Sequence, residues 1–155
     1  MNLAPGLSAG LVVMAIAASA DAQGRTPVCD LVSEADAAAV LGSVEKKLAT
    51  FGADQCLFTI KGMSLMIGRI VDQKPEAVAG IIALPAQRAR QGDVVKDEPG
   101  IGDRATSELS KGHVAMFAAS GGTVWTFAVD HIYSKDLSAT LPKLRELAKK
   151  VLAGR

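Results

Sequence analysis

Few residues in this 155-residue chain carry chemistry, and their spacing decides what they can do. They are two cysteines, Cys29 and Cys56, and two histidines, His113 and His131, the second preceded by Asp130. Redox motifs usually hold their thiols two residues apart. A zinc site needs more ligands than these two thiols, and neither cysteine has a histidine near it in sequence. An even number of cysteines in an exported chain reads instead as a disulfide. A Cys29–Cys56 bridge closes a loop of about 27 residues, which chain-entropy arguments value at about 3–4 kcal/mol.

The histidines frame the stretch HVAMFAASGGTVWTFAVDH, His113 to His131. Two runs rich in β-branched and aromatic residues flank Gly121-Gly122, a pair suited to the positive φ angles of a tight hairpin turn. With the turn there, Ala118 faces Trp125, Met116 faces Phe127 and Val114 faces Val129, all on one apolar side. The other side carries Phe117 with Thr126, Ala115 with Ala128, and His113 with Asp130. A metal site or a His–Asp acid/base pair is the sharp reading of that last couple. Adjacent strand residues point to opposite faces, so His131 cannot join His113 on one metal. Ser107, Ser110 and Ser120 offer hydroxyls, but none sits in a nucleophile elbow. The residues favour a cross-strand polar pair worth about 0.2–1 kcal/mol. No catalytic, cofactor-binding or metal-ligating residue is assigned, and no cofactor is implied.

Pro99-Gly100-Ile101-Gly102-Asp103 reads as a turn around an apolar anchor. It lacks the Lys-Ser/Thr ending of a phosphate-binding loop and the third glycine of a dinucleotide turn. The remaining elements position these residues. Ser33 is a helix N-cap, with Glu34 and Asp36 in the first turn, an apolar face of Ala37, Val40 and Leu41, and Gly42 as the stop. Residues 44–51 predict an edge strand guarded by Lys46-Lys47. Residues 56–60 and 64–71 predict a hairpin about Lys61-Gly62-Met63. A helix starts at Pro75, and Pro85 is expected to kink or divide it before Gln91-Gly92. Residues 94–96 and 104–109 are strands. A last helix begins near Thr140 and carries Leu141, Leu144, Leu147, Ala148 and Val151 on one face.

Before all of this lies LSAGLVVMAIAASA, residues 7–20, too short for a comfortable transmembrane helix. Ala18-Ser19-Ala20 and Ala20-Asp21-Ala22 both fit signal-peptidase sites. Cleavage after Ala22, leaving Gln23 first, is preferred to cleavage after Ala20. The segment before the apolar run has no Lys or Arg, which leaves an uncleaved anchor open. The expected organisation is a signal peptide over residues 1–22 and a single α+β domain over residues 23–155. Its expected architecture is one twisted antiparallel sheet with helices packed on it. Seventeen basic and sixteen acidic residues, net +1, argue against a nucleic-acid binder. Aromatics are only 4% of the chain, which assigns each to the core.

CDLVSEADAAAVLG, the cysteine of DQCLFTI, GIGDRA, KGHVAMF, TVWTFAV and LPKLRELAKKVLAG together resemble a family of small bacterial exported proteins and lipoproteins of unknown function. The resemblance spans about Cys29 to Leu152. It implies a PsbP-like αβ sandwich and a cysteine bridge, with no agreed catalytic residues. The sequence departs from the family in lacking a lipobox before Cys29. The expectation is a periplasmic or secreted, non-catalytic module that binds a small ligand, a lipid or an envelope protein. Membrane contact is expected only through an uncleaved signal segment. The alternative is an envelope hydrolase built on His113.

Overall fold

The hairpin about Gly121-Gly122 lies at the heart of a seven-stranded sheet. A computed structural model describes residues 25–50, 52–133 and 135–154. The signal-peptide reading of residues 1–22 lies outside those residues. The strands are β1 (Lys46–Ala49), β2 (Gln55–Ile60), β3 (Met63–Ile70), β4 (Val94–Asp97), β5 (Arg104–Ser110), β6 (His113–Ser120) and β7 (Thr123–His131). The helices are α1 (Val28–Leu31), α2 (Glu34–Leu41), α3 (Pro75–Arg88) and α4 (Leu141–Ala153). The sheet order is β1-β2-β3-β7-β6-β5-β4, and every pairing is antiparallel. Two meanders are thus joined at β3 and β7. The chain leaves the centre after β3, crosses one face as α3, and returns from the far edge at β4.

The hairpin register is the expected one: Ala118 pairs with Trp125, Met116 with Phe127, Val114 with Val129 and His113 with Asp130. Alternation then sorts the sheet into two faces. On the first, Phe58, Leu65, Ile67, Val114, Met116, Trp125 and Phe127 are buried. They share a core with Val28 of α1, Val40 and Leu41 of α2, and Leu144, Leu147 and Val151 of α4. On the second, α3 sets Val78, Ile81 and Ile82 against Phe117, Ala119 and Val124. The result is an α+β fold with an open antiparallel sheet and helices on both of its faces.

Local chemistry explains the helix ends. Ser33 Oγ accepts from the Asp36 amide while Asp36 accepts from the Ser33 amide, a reciprocal cap that satisfies two donors. Gly42, at φ 93°, closes α2. Pro142 falls in the first turn of α4, where a missing N–H costs nothing.

Two details differ from expectation. Pro85 does not divide the second long helix: α3 runs unbroken over 14 residues. Proline there forfeits one backbone hydrogen bond, and the buried ring packs in compensation. The helix also stops at Arg88, before the expected Gln91-Gly92, in a turn where Asp93 is bonded back to Arg90. Secondly, Cys29 lies in a separate short helix, α1. The disulfide to Cys56 therefore fastens α1 to β2. The following helix α2 is held by its own buried face and by Lys150 Nζ, 2.6 Å from Asp36 Oδ1. Among the described residues no helix is long and apolar enough to cross a membrane.

Candidate functional site

The cysteines pair as expected, Cys29 with Cys56, with Cα atoms 5.0 Å apart. Their role is structural, since a disulfide has no thiolate to offer.

His113 and Asp130 also meet as the register requires. His113 Nδ1–H donates to Asp130 Oδ1 at 2.7 Å. Nε2 looks the other way, 4.0 Å from Glu108 Oε1. Glu108 is in turn held by Arg88 Nη2 at 2.7 Å, and the Arg88 guanidinium lies 5.6 Å above the Phe117 ring. This row ties the end of α3 to the sheet. Ser110 is the register partner of His113, yet among the described residues no hydrogen bond joins its hydroxyl to the imidazole. A carboxylate already paired to arginine sits where a nucleophile would have to stand. His131 lies on the opposite face, its Nδ1 accepting from the Tyr133 amide.

Ser107 is buried and donates to Glu98 Oε1 at 2.6 Å. Arg145 of α4 grips the same carboxylate with Nε and Nη2, at 2.6 and 2.7 Å. Burial pushes the Glu98 carboxyl up, but the Arg145 and Ser107 hydrogen bonds outweigh it and hold the group below the ordinary range. Both oxygens of Glu98 accept hydrogen bonds, so this cluster clamps α4 to β5. The Pro99–Asp103 turn is likewise structural. Ile101 is buried, and a Cβ at Gly102 would collide with the Ala119 carbonyl, so the glycine serves close packing of the chain.

The remaining cluster has an unfilled valence, and it is built around a residue that the chemistry-bearing motifs do not include. Arg69 occupies a core-facing position of β3, two residues beyond Ile67 and opposite Trp125. Its side chain is 7% exposed. Nε donates to Asp54 Oδ1 at 2.7 Å, from the tight turn Gly52–Asp54. The guanidinium carbon lies 5.7 Å from the Trp125 ring centroid, in cation–π range. Nη2 is buried and has no hydrogen-bond partner among the described residues. A buried donor left unpaired costs about 1–3 kcal/mol, more when charged.

Arg69 and Trp125 border a cavity of about 410 Å³, together with Leu31, Thr26, Arg25, Thr123, Val71, Asp72 and Gly154. That volume lies within the usual range for small-molecule sites. Arg25 reaches it from the segment before α1 and pairs with Asp72 at 2.7 Å. Asp72 is the one non-glycine with positive φ among the described residues, at 55°. Aspartate tolerates that left-handed backbone, and strain of this kind clusters at functional sites. Both arginines have carboxylate partners, but Asp54 and Asp72 are 48% and 80% exposed. Water screens those carboxylates, whereas the Arg69 guanidinium is shielded. The cavity is thus bordered by two guanidinium groups, the Asp72 carboxylate, and an indole and leucine as apolar wall.

The alternation Leu65, Ile67, Arg69 is the sequence signal that reveals this site: a charge on the buried side of an otherwise apolar strand face. The geometry defines an open antiparallel α+β sheet with a small, arginine-lined cavity at one end of its central strands. No family model, no curated protein and no solved structure matches the chain.

Proposed function

We propose that the protein is an exported, non-catalytic binding module of the cell envelope, and that its ligand is a small carboxylate- or phosphate-bearing molecule with an apolar body. The observation that carries this reading is the buried Arg69 guanidinium, whose Nη2 has no hydrogen-bond partner among the described residues, in the wall of a cavity of about 410 Å³. The disulfide supports an oxidising compartment. The two Ala-x-Ala sites before Gln23 support cleavage by signal peptidase. The resemblance to small bacterial exported proteins supports a PsbP-like αβ sandwich.

The test is a thermal-shift titration with inorganic phosphate, citrate and octanoate. A ligand that binds only the native state raises its melting temperature. Octanoate is expected to give the largest rise, because it fills both the anionic and the apolar part of the site. Arg69→Lys keeps the charge near Asp54 but removes the fork, and is expected to weaken binding at least about tenfold. Arg25→Ala is expected to weaken it less. Equal shifts in wild type and in Arg69→Lys would overturn the assignment.

The rival is a hydrolase using His113, and the 2.7 Å His113–Asp130 contact favours it. On that reading His113→Ala abolishes turnover of ester substrates. On the reading preferred here, any trace turnover is the same in both proteins.

A further inference from the structure

The two most exposed large apolar residues among those described stand together at the end of the sheet opposite the cavity. Ile132 is 72% and Tyr133 is 68% exposed, so the tyrosine departs from the expectation that each aromatic lies in the core. They follow directly on β7, and the fold holds them in place. The Ile132 amide donates to the Gly62 carbonyl at 3.0 Å. The Tyr133 ring lies across that same β2–β3 turn, where a Cβ on Gly62 would approach it to 3.0 Å. Gly62, at φ 78°, is thus needed both for the turn and for the bare surface that the tyrosine crosses. On the other side, the His131 amide donates to Gly112 O at 2.8 Å and the Gly112 amide to Lys135 O at 3.2 Å. Three chain reversals are stitched into one tip.

Each of the three carries an exposed lysine: Lys61, Lys111 and Lys135. None of these makes an ion pair among the described residues, although lysines elsewhere do. Of the acids at this end, Asp130 is hydrogen-bonded to His113, Asp136 accepts from Ser138 and keeps its negative charge, and Glu45 adjoins Lys46. The tip therefore offers an aliphatic chain, a phenol ring and a ring of free ammonium groups.

We propose that this tip docks the protein on the surface of a bilayer rich in anionic lipid. Tyrosine beside an aliphatic side chain suits the headgroup layer, where one end of the ring is dry and the other wet. Unpaired lysines around them suit anionic headgroups. A protein partner would need a patch of about 20–30 residues a side, and two projecting apolar side chains fall far short of that. The docking is peripheral and does not involve the N-terminal segment. The eight residues of β3 separate the tip from the Arg69 cavity, a span of about 23 Å. A docked molecule would therefore hold its cavity away from the membrane and open to the aqueous space.

The test is co-sedimentation of the exported protein with vesicles of phosphatidylglycerol and phosphatidylethanolamine in equal parts, against phosphatidylcholine vesicles. Binding is expected to the anionic vesicles only, and to fall as salt is raised. Replacing lysine by glutamine at positions 61, 111 and 135 is expected to reduce the partition coefficient roughly fivefold for each lysine removed. Ile132→Ser with Tyr133→Ser should reduce it about tenfold or more. All these side chains are exposed, so the variants should keep the wild-type melting temperature, which is measured alongside. Equal binding by wild type and both variants would assign the affinity to another part of the chain and overturn the proposal. So would equal binding to both vesicle types, or binding to neither. Capture of a soluble polyglutamate in place of vesicles would make the partner an acidic polypeptide, and overturn it too.

Discussion

Arg69 and His113 occupy opposite faces of one sheet, and both are basic groups beside carboxylates. His113 has carboxylates on both sides: Asp130 hydrogen-bonded to Nδ1 at 2.7 Å, and Glu108 4.0 Å from Nε2, beyond hydrogen-bond range, with Arg88 closing the row. The group is half in solvent, and all its interactions are local to the sheet and α3. Arg69 is buried more deeply, yet Nη2 has no hydrogen-bond partner among the described residues, and the side chain borders a cavity. A partly exposed pair of this kind adds little stability. A buried guanidinium with a free arm costs stability unless something fills it. On the reading proposed above, binding follows the unfilled valence. It does not follow the residue type most associated with catalysis.

The largest effect should come from cutting the support of the Arg69 side alone. Cys56→Ser removes the bridge that fastens α1 to β2, and the stability loss should be about 3–4 kcal/mol by denaturant titration. Hydrogen exchange should show α1 opening first, carrying Leu31, Thr26 and Arg25 away from the cavity. The capped helix α2 should follow later, because Lys150–Asp36 still ties it to α4. The His113 row should keep its protection. Simultaneous loss of protection in α1 and at β5–β6 would erase the contrast between the two faces.

A smaller effect should come from the Glu98 cluster, which shows what a buried charge contributes when both its oxygens are hydrogen-bonded. Glu98→Gln should cost about 2 kcal/mol, discounted from the usual cost of breaking a buried pair because Arg145 is one-third exposed. The pH dependence follows in sign. Glu98 and Asp36, the latter held by Lys150 and Ser33, both sit below their ordinary values of 4.5 and 3.8. The unfolded chain therefore binds more protons as pH drops through this range, and acid favours unfolding. Their contribution is complete above those ordinary values and is lost as pH falls through the lowered folded ones. Urea midpoints from neutrality to about pH 3 should show the decline, and Glu98→Gln should flatten part of it.

The smallest effect should be at His113. His113→Ala should change stability by less than about 1 kcal/mol, since Arg88–Glu108 survives it and the pair is partly exposed. A loss of several kcal/mol on chemical denaturation would mean that the row is a structural keystone, and the two faces would then differ less than described.

Much of this architecture was legible in the residues. Gly121-Gly122 and the flanking alternation set the register of β6 and β7, and so the His113–Asp130 contact. Ser33, Asp36 and Gly42 marked both ends of α2. Local signals fail where packing decides. Proline chemistry argued for a break at Pro85, but burial of its ring keeps α3 whole. The β3–β7 pairing joins strands separated by a helix and three further strands, and no turn residue announces it. The cavity eluded motif reading because arginine in a strand belongs to no catalytic pattern. Only its place on the apolar side, after Leu65 and Ile67, betrays it. Even that says nothing of Arg25, which reaches the site from beyond α1.

The central claim is that an anion completes the coordination of Arg69. A crystal structure of the protein soaked with octanoate tests it most directly. The account predicts the carboxylate within hydrogen-bonding distance of Arg69 Nη2, and the alkyl chain along Trp125 and Leu31. A carboxylate found at His113, or a cavity that stays unliganded at saturating octanoate, would contradict it.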